Sequence, residues 1–451
     1  MTPPRPPLMH NAFDPADAAG LPERDRRLIE RRRDLLGPAY RLFYKEPVHV
    51  VRAEGVTLWD ADGRSYLDCY NNVPSVGHCH PRVVAAIAAQ AGRLNTHTRY
   101  LDAGILDYSE RLLATFPDEI GRVMYTCTGS EAVDLALRIA HAHTGGTGVI
   151  VTENAYHGTT AAAAAISPSL GAGVPLGPHV VTVPAPDRYR RGDGVDVGAA
   201  FAEDVARAIA FLTRHGIRFS ALGEHSDGIF STDGVLSDPP GFLEPAREVV
   251  RRAGGLWIAD EVQPGFGRTG AAMWGFLRHG IVPDLVVMGK PMGNGMPIAA
   301  VASKPDVLER FGAEARYFNT FGANHVSIAA AAAVLDVIAE EKLTENAATV
   351  GDHLLAGMRA MADRRAAIGD VRGAGLFLGL EFVSDRAART PDPALAQAVV
   401  DRLRARRILI SASGSHGQVL KIRPPLPFSI ADADVFLAAL DEVLGELEAG
   451  R

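Results

Sequence analysis

Short apolar runs that end in polar residues recur through the middle of this chain, and longer amphipathic stretches lie between them. Residues 148–152, 180–184, 220–223, 256–260, 285–288 and 299–303 are runs of the first kind, with the length and composition of strands buried on both faces. Residues 129–143 and 201–215 have the spacing of helices. That alternation predicts an α/β fold, a mostly parallel sheet with helices on both faces. Upstream, 48–53, 57–60 and 65–69 read as strands, with a hairpin turn at Asp60-Ala-Asp-Gly63. Helices are expected at 24–36, at 83–90 behind Pro81, and at 105–115. Beyond about 335 the pattern changes to a helix at 350–361, strands within 375–382, a helix at 393–406 and a last strand from Val419. Residues 1 to about 20 show no periodicity and read as a loose arm.

Two strand ends carry the most telling chemistry. The run 256–260 ends in Asp260-Glu-Val-Gln263, and 285–288 leads directly into Gly289-Lys290-Pro-Met-Gly. Lys290 is one of only five lysines, so its place at a strand end beside glycines stands out. A lysine there can lose its proton by desolvation and become a Schiff-base nucleophile. A carboxylate on a neighbouring strand end suits a pyridine nitrogen, whose proton it would hold by charge pairing. Lysine plus carboxylate is the pyridoxal phosphate arrangement. Alone, Asp260 reads equally as a turn cap and Lys290 as a solvated charge.

Further candidates gather around that pair. Gly129-Ser130 opens a helix, and glycine, hydroxyl and helix N-terminus together make an anion site; Ser130 by itself is also an ordinary N-cap. Tyr156-His157-Gly158 follows the run 148–152. Arg423, after an alternating apolar strand, suits a bidentate carboxylate contact or a structural salt bridge. Arg99, in the polar stretch Asn95-Thr-His-Thr-Arg-Tyr100, is either a surface charge or an anion ligand. His78-Cys79-His80 is too compact for usual metal-ligand spacing, so no metal is expected.

Asp260-Glu-Val-Gln263, Gly265-Phe-Gly-Arg-Thr-Gly270 and Gly289-Lys290 closely resemble the signature of the class III aminotransferases, and the resemblance runs from about residue 30 to the end. It implies fold type I: a large cofactor domain at 76–335, and a small α+β domain built from both chain ends, 1–75 (with the arm) and 336–451. It implies pyridoxal phosphate on Lys290, with Gly129 and Ser130 at its phosphate. Tyr156 would lie over the ring, with His157 a further cofactor contact, Val262 under the ring and Gln263 at its oxygen. Thr320, in Asn319-Thr-Phe-Gly-Ala-Asn324, would complete the phosphate site of a partner subunit, so a homodimer with shared sites is implied. Arg423 would bind a substrate carboxylate, and Asn71, Asn72, Asn95 and Arg99 would form a donor-rich wall opposite it. The stretch Asp227-Gly-Ile-Phe-Ser-Thr232 departs from the family's Glu-Pro-x-Gln-Gly-Glu, with Thr232 at the second acidic position, which argues against an ornithine- or GABA-type substrate.

The resemblance implies a transaminase moving an amino group between an amine or amino acid and a keto acid. A second class stays open: Tyr66 to Val73, Gly77 to Pro81 and Leu94 to Arg99 resemble family members that eliminate phosphate or ammonia from phosphorylated or phosphonate amines. Composition adds exclusions. At 451 residues, 47% apolar and a formal charge of −7, the chain is expected to be soluble and globular, with core enough for two domains. It has no basic block for nucleic acid and no apolar run long enough for a bilayer. No charged-then-apolar leader pattern opens it, which predicts a cytosolic protein. Cys69, Cys79 and Cys127 lack a CxxC pair and read as reduced core thiols.

Overall fold

The computed structural model describes residues 9–224 and 228–450. Strands β1 (Val50–Glu54), β2 (Thr57–Asp60) and β3 (Ser65–Asp68) pair antiparallel in sequence order. Asp60 builds the β2–β3 turn: its carboxylate accepts the N–H groups of Asp62 and Arg64 at 3.0 and 2.9 Å and the Tyr66 hydroxyl at 2.9 Å. Gly63 supplies the positive φ of 80° that the turn requires.

Seven strands follow: β4 (Arg122–Thr126), β5 (Gly148–Thr152), β6 (Val180–Val183), β7 (Phe219–Glu224), β8 (Leu256–Asp260), β9 (Leu285–Met288) and β10 (Ala299–Ser303). They form one sheet in the order β4-β10-β9-β8-β7-β5-β6. All pairs are parallel except those of β10, which is antiparallel to both neighbours. The reversal follows from the β9–β10 link, a short 3-10 turn (Lys290–Gly293) in place of the crossover helix that a parallel return needs. Both faces are covered, which is why the strands read as unbroken apolar runs. Val149 and Val151 of β5 pack in the core beneath helix Gly129–Thr144, whereas Ile150 joins the core beneath helix Val197–Arg214. In β8 all five residues are buried, and Asp260 is therefore delivered to the sheet's edge from a rigid element.

The C-terminal part contributes β11 (Ile368–Ala374), β12 (Phe377–Asp385), β13 (Thr390–Pro391), β14 (Ile408–Leu409), β15 (Ser411–Ser413) and β16 (Val419–Ile422). β11, β12, β16 and β15 lie side by side in an antiparallel sheet, with β13 on β12. β14 instead joins β3 in parallel, Ile408 opposite Leu67. That pairing ties the N-terminal strands to the C-terminal part, so the smaller α+β region is built from both chain ends.

The structure corrects several details. The helix expected at 350–361 spans Leu343–Arg364, and helices Pro305–Glu314, His325–Glu340 and Ile430–Ala449 were not foreseen. His325–Glu340 is Ala-rich and buried on most of its surface, so it lacks the polar stripe that marks an amphipathic helix. Part of the expected loose arm is ordered: Asp14 caps a 3-10 turn at Pro15–Gly20, while residues 1–8 lie outside the described residues. Helix Glu23–Leu36 buries none of its residues in this chain. Of the three thiols only Cys69 is in the core; Cys79 is exposed and Cys127 half-buried. His78 is tied to Asp68 at 2.7 Å and His80 to Glu341 at 3.1 Å, so each histidine of that triplet has its own carboxylate. Among the described residues no helix is long and apolar enough to cross a membrane.

Candidate active site

β8, β9 and the N-terminus of helix Gly129–Thr144 converge on a cavity of about 110 Å³. Its walls are Gly129, Ser130, Tyr156, His157, Gly158, Asp260, Val262, Gln263 and Lys290. Eight of these nine come from the motifs read in the sequence as cofactor contacts, drawn together from four separate segments; the ninth, Gly158, is their immediate neighbour. The anion-binding corner is built by helix capping. Thr128 is the N-cap and accepts the Glu131 N–H, while the Glu131 carboxylate accepts the N–H groups of Cys127 and Thr128 at 2.9 Å. The Gly129 and Ser130 N–H groups, in the first turn, have no intrahelical acceptor by helix geometry. The Ser130 hydroxyl accepts the Thr159 N–H at 3.1 Å, which pins the loop after Gly158 against the helix.

Asp260 is buried, with one carboxylate oxygen accepting the Val262 N–H at 3.1 Å and the other 3.2 Å from His157 Nδ1. His157 is held in turn through its own N–H, which donates to the Ser167 hydroxyl at 2.7 Å. A carboxylate so fixed keeps its orientation at the strand end. Tyr156 is half-buried and burial pushes its phenol pKa up, so it enters the cavity as a neutral ring. Lys290 lines the cavity but is exposed, since it opens the 3-10 turn rather than closing β9.

Arg423 stands one residue back from the cavity. It is buried, its Nε donates to the Tyr70 carbonyl at 3.1 Å, and Nη1 donates to the Gln263 side-chain oxygen. The Gln263 amide donates to the Ser231 hydroxyl at 2.7 Å. Ser231 thus reaches the arginine's neighbour, one residue before Thr232, whose carbonyl instead accepts the Asn154 amide; Asp227 lies outside the described residues. Ser231 and the Tyr70 carbonyl were missed from sequence because nothing local marks a contact across more than 30, or more than 350, residues.

The expected donor wall is not assembled in one chain. Asn72 is buried with its amide 3.5 Å from the Gln263 backbone carbonyl, while Arg423 bonds the side chain of that same residue. Asn71 caps its own turn by accepting the Val73 N–H at 3.1 Å. Asn95 is bonded to Asn324, and Arg99 is exposed, its guanidinium 3.9 Å from the centre of the Phe318 ring. Neither lines the cavity, because the stretch 94–101 runs along the surface and its polar groups find partners there. Thr320 is likewise exposed and does not line this chain's own cavity.

Glu261, between Asp260 and Val262, has a structural task. Fully buried, it accepts the N–H groups of Gly275 and Phe276 at 2.8 Å each. Arg268 of the Gly-rich passage is buried too, donating to the carbonyls of Leu376 and Pro424 and so tying the large sheet's loop to the smaller region. Gly270 packs against Ala348 with no room for a side chain. Gly267, against Thr344, and Gly270 therefore serve packing between the two regions, whereas Gly265 packs on the Glu261 carbonyl and Trp274 within the larger one.

The profile of the family described as "Aminotransferase class-III" matches residues 43–444. The chain belongs to the class III aminotransferases. Among relatives of this class III chain, an alanine–glyoxylate aminotransferase 2-like protein of Drosophila melanogaster is 38% identical over 428 residues, covering 92% of this chain and 86% of that one. An ethanolamine-phosphate phospho-lyase homolog of Caenorhabditis elegans is 36% identical, covering 92% of this chain and 93% of that one. A solved phospholyase from Arthrobacter, in complex with phosphoethanolamine, superposes with a TM-score of 0.88 at 43% identity, covering 93% and 99% of the two chains.

Proposed function

We propose that this class III enzyme is a pyridoxal-phosphate-dependent aminotransferase that moves an amino group between an amine or amino acid and a keto acid. The observation that carries the reading is the single cavity shared by Lys290, Asp260, His157, Ser130 and Gln263. The donor set fits the cofactor: a helix N-terminus and a hydroxyl for a phosphate, a fixed buried carboxylate for a pyridinium, an amine for an aldehyde. When bound, pyridoxal phosphate supplies an aldehyde for the substrate amine and a ring that takes up the electron pair left at Cα. Asp260 would hold a proton on the ring nitrogen, and His157, bonded to the Asp260 carboxylate, fixes its orientation. Gly129 and Ser130 would bind the phosphate through N–H and hydroxyl groups. Tyr156 and Val262 would confine the ring, and Gln263 would donate toward its oxygen. Lys290 would hold the cofactor through its amine and, once displaced by the substrate amine, would serve as general base and acid for the substrate's Cα proton. Arg423 and Asn72 take the substrate's anionic end.

We read the protein as a homodimer, with Thr320 completing the partner's phosphate site; its exposure outside its own cavity supports this. A second reading, a lyase eliminating phosphate or ammonia, is supported by the 43% identity to the Arthrobacter phospholyase over nearly the whole chain. Incubating the cofactor-loaded protein with alanine plus glyoxylate, and separately with phosphoethanolamine alone, tests both. Keto-acid-dependent amino transfer supports the first reading. Phosphate and ammonia released without a keto acid, with no transfer from alanine, overturns it in favour of the second.

A further inference from the structure

Ser231-Thr232-Asp233, between β7 and helix Glu244–Arg252, form a short strap beside the cavity. The chain closes around it: the Gly234 and Val235 N–H groups donate to the Phe230 carbonyl at 3.2 and 3.1 Å. Phe230 and Val235 hold φ of +42° and +64°, a conformation that residues with a Cβ keep only where the surroundings impose it. Both regions impose it here. From the smaller one, the Ser413 hydroxyl donates to the Ser231 carbonyl at 2.9 Å and the Gly414 N–H to the Thr232 carbonyl at 3.2 Å. Arg372 Nε donates to the carbonyls of Gly234 and Val235 at 3.0 Å each. From the larger one, the Thr152 hydroxyl at the end of β5 donates to the Asp233 carboxylate at 2.9 Å, and the Asn154 N–H donates to the same carboxylate. The Asn154 side-chain amide donates to the Thr232 carbonyl at 2.6 Å, which ties the strap to the loop leading to Tyr156.

The strap meets the cavity wall through Ser231, which is fully buried and whose hydroxyl oxygen accepts a side-chain N–H of Gln263 at 2.7 Å. Arg423 decides which way that amide faces. A guanidinium only donates, so the Gln263 atom toward it is the oxygen, and the NH2 group points to Ser231. The NH2 group carries two hydrogens and Ser231 takes one, leaving the other for an acceptor in the cavity that Gln263 lines.

We infer that Ser231 is a positioning residue, with Asp233 as its anchor, and that together they lock the Gln263 amide so that its nitrogen serves the cofactor's ring oxygen while its oxygen aims Arg423 at an anionic substrate end. This rests on the reading in which Gln263 meets the cofactor and Arg423 the substrate. A glutamine side chain turns about three bonds, and partners on both ends of its amide remove more of that freedom than one does. Arg423 is aimed in turn by the Gln263 oxygen and by the Tyr70 carbonyl, which accepts from Nε at 3.1 Å. Without Ser231 the amide can turn, and the guanidinium fork loses its fixed direction. The loss falls on amines whose far end is a carboxylate or a phosphate, because they alone use the fork.

The test compares the cofactor-loaded wild type with Ser231→Ala, Asp233→Ala and Asp233→Asn, the last keeping the anchor's shape and an oxygen for Thr152. Substrates are β-alanine and phosphoethanolamine, for a carboxylate and a phosphate end, and propylamine as the neutral match to β-alanine. Ser231→Ala should raise KM for an anionic amine at least about tenfold more than for propylamine, with kcat changed less than about threefold. Asp233→Ala should act in the same direction, and Asp233→Asn should keep most of the wild-type KM. Which of β-alanine and phosphoethanolamine carries the effect identifies the anion. Equal losses on all three amines, an unchanged KM in Ser231→Ala, or a fall in kcat alone overturns the inference. Exchange of the Gln263 side-chain amide protons, followed by NMR on protein with isotope-labelled glutamine and assigned with Gln263→Leu, reads the lock without turnover. Exchange at least about tenfold faster in Ser231→Ala than in wild type is expected, and equal rates overturn the inference. If no amine reacts at all, the aminotransferase reading fails, while the exchange ratio still decides the inference.

Discussion

Gly158 separates the aromatic loop from the helix that forms the anion corner, and substituting alanine there should loosen cofactor binding. A Cβ built at Gly158 lies 2.7 Å from Ser130 Cβ and 2.9 Å from Ser130 Cα. Ordinary carbon contacts are about 3.5–4 Å, so loop and helix N-terminus must part by about 0.6 Å or more. The Cα of Ser130 cannot swing aside as a side-chain tip does. The φ of +140° adds strain for any residue with a Cβ, of order 1–3 kcal/mol. Together these should weaken pyridoxal phosphate binding at least about tenfold, equivalent to ~1.4 kcal/mol, because the displaced groups are the Ser130 hydroxyl and the first-turn N–H groups. The assay is a titration of cofactor-free Gly158→Ala with pyridoxal phosphate, followed by absorbance, beside Gly173→Ala as control. Gly173 has nothing within 4 Å of a built Cβ, so that variant should bind as wild type. Wild-type affinity in Gly158→Ala would refute the reasoning, since the close approach would then have no bearing on the phosphate corner.

Lys290→Ala should abolish turnover and the near-visible absorbance of the bound cofactor, and mixing it with Thr320→Ala subunits should restore one active site per hybrid dimer; no recovery after verified subunit exchange counts against shared sites. Asp260→Asn should still bind cofactor but lose roughly 1.5–3 kcal/mol of charge-assisted contact, read as a slower Cα exchange of substrate deuterium; an unchanged exchange rate would mean another group holds the ring proton. Glu261→Gln keeps the shape but leaves one buried N–H facing an amide donor, so stability should fall by about 1–3 kcal/mol, measured by urea unfolding, and an unshifted midpoint would contradict the capping role. Asp233 is buried and raised to about 7, chiefly by that burial, with the Thr152 hydroxyl and the Asn154 backbone opposing. Its proton is held more tightly folded than unfolded, so it destabilises the fold progressively as pH rises from about 4 to about 7. Asp233→Asn should flatten the stability profile across that window and gain most above it; parallel profiles for variant and wild type would exclude this.

Much of the site was legible in the sequence because its parts are local. Leu256–Asp260 and Leu285–Met288 announce themselves as runs buried on both faces, and whatever follows such a run emerges at one edge of the sheet. A lysine and a carboxylate at adjacent edges, with Gly129-Ser130 at a helix start, are each a consequence of short-range geometry: pleat, turn and cap. The pairing of β14 with β3 was not legible as hydrogen bonding, since two residues carry no register of their own and are held by the strands around them. Nor was the fate of the donor stretch at 94–101, where Arg99 settles on Phe318, more than 200 residues away, and not in the cavity. Local spacing decides what emerges from each element, while which elements meet depends on burying apolar faces against one another, a property of the whole chain.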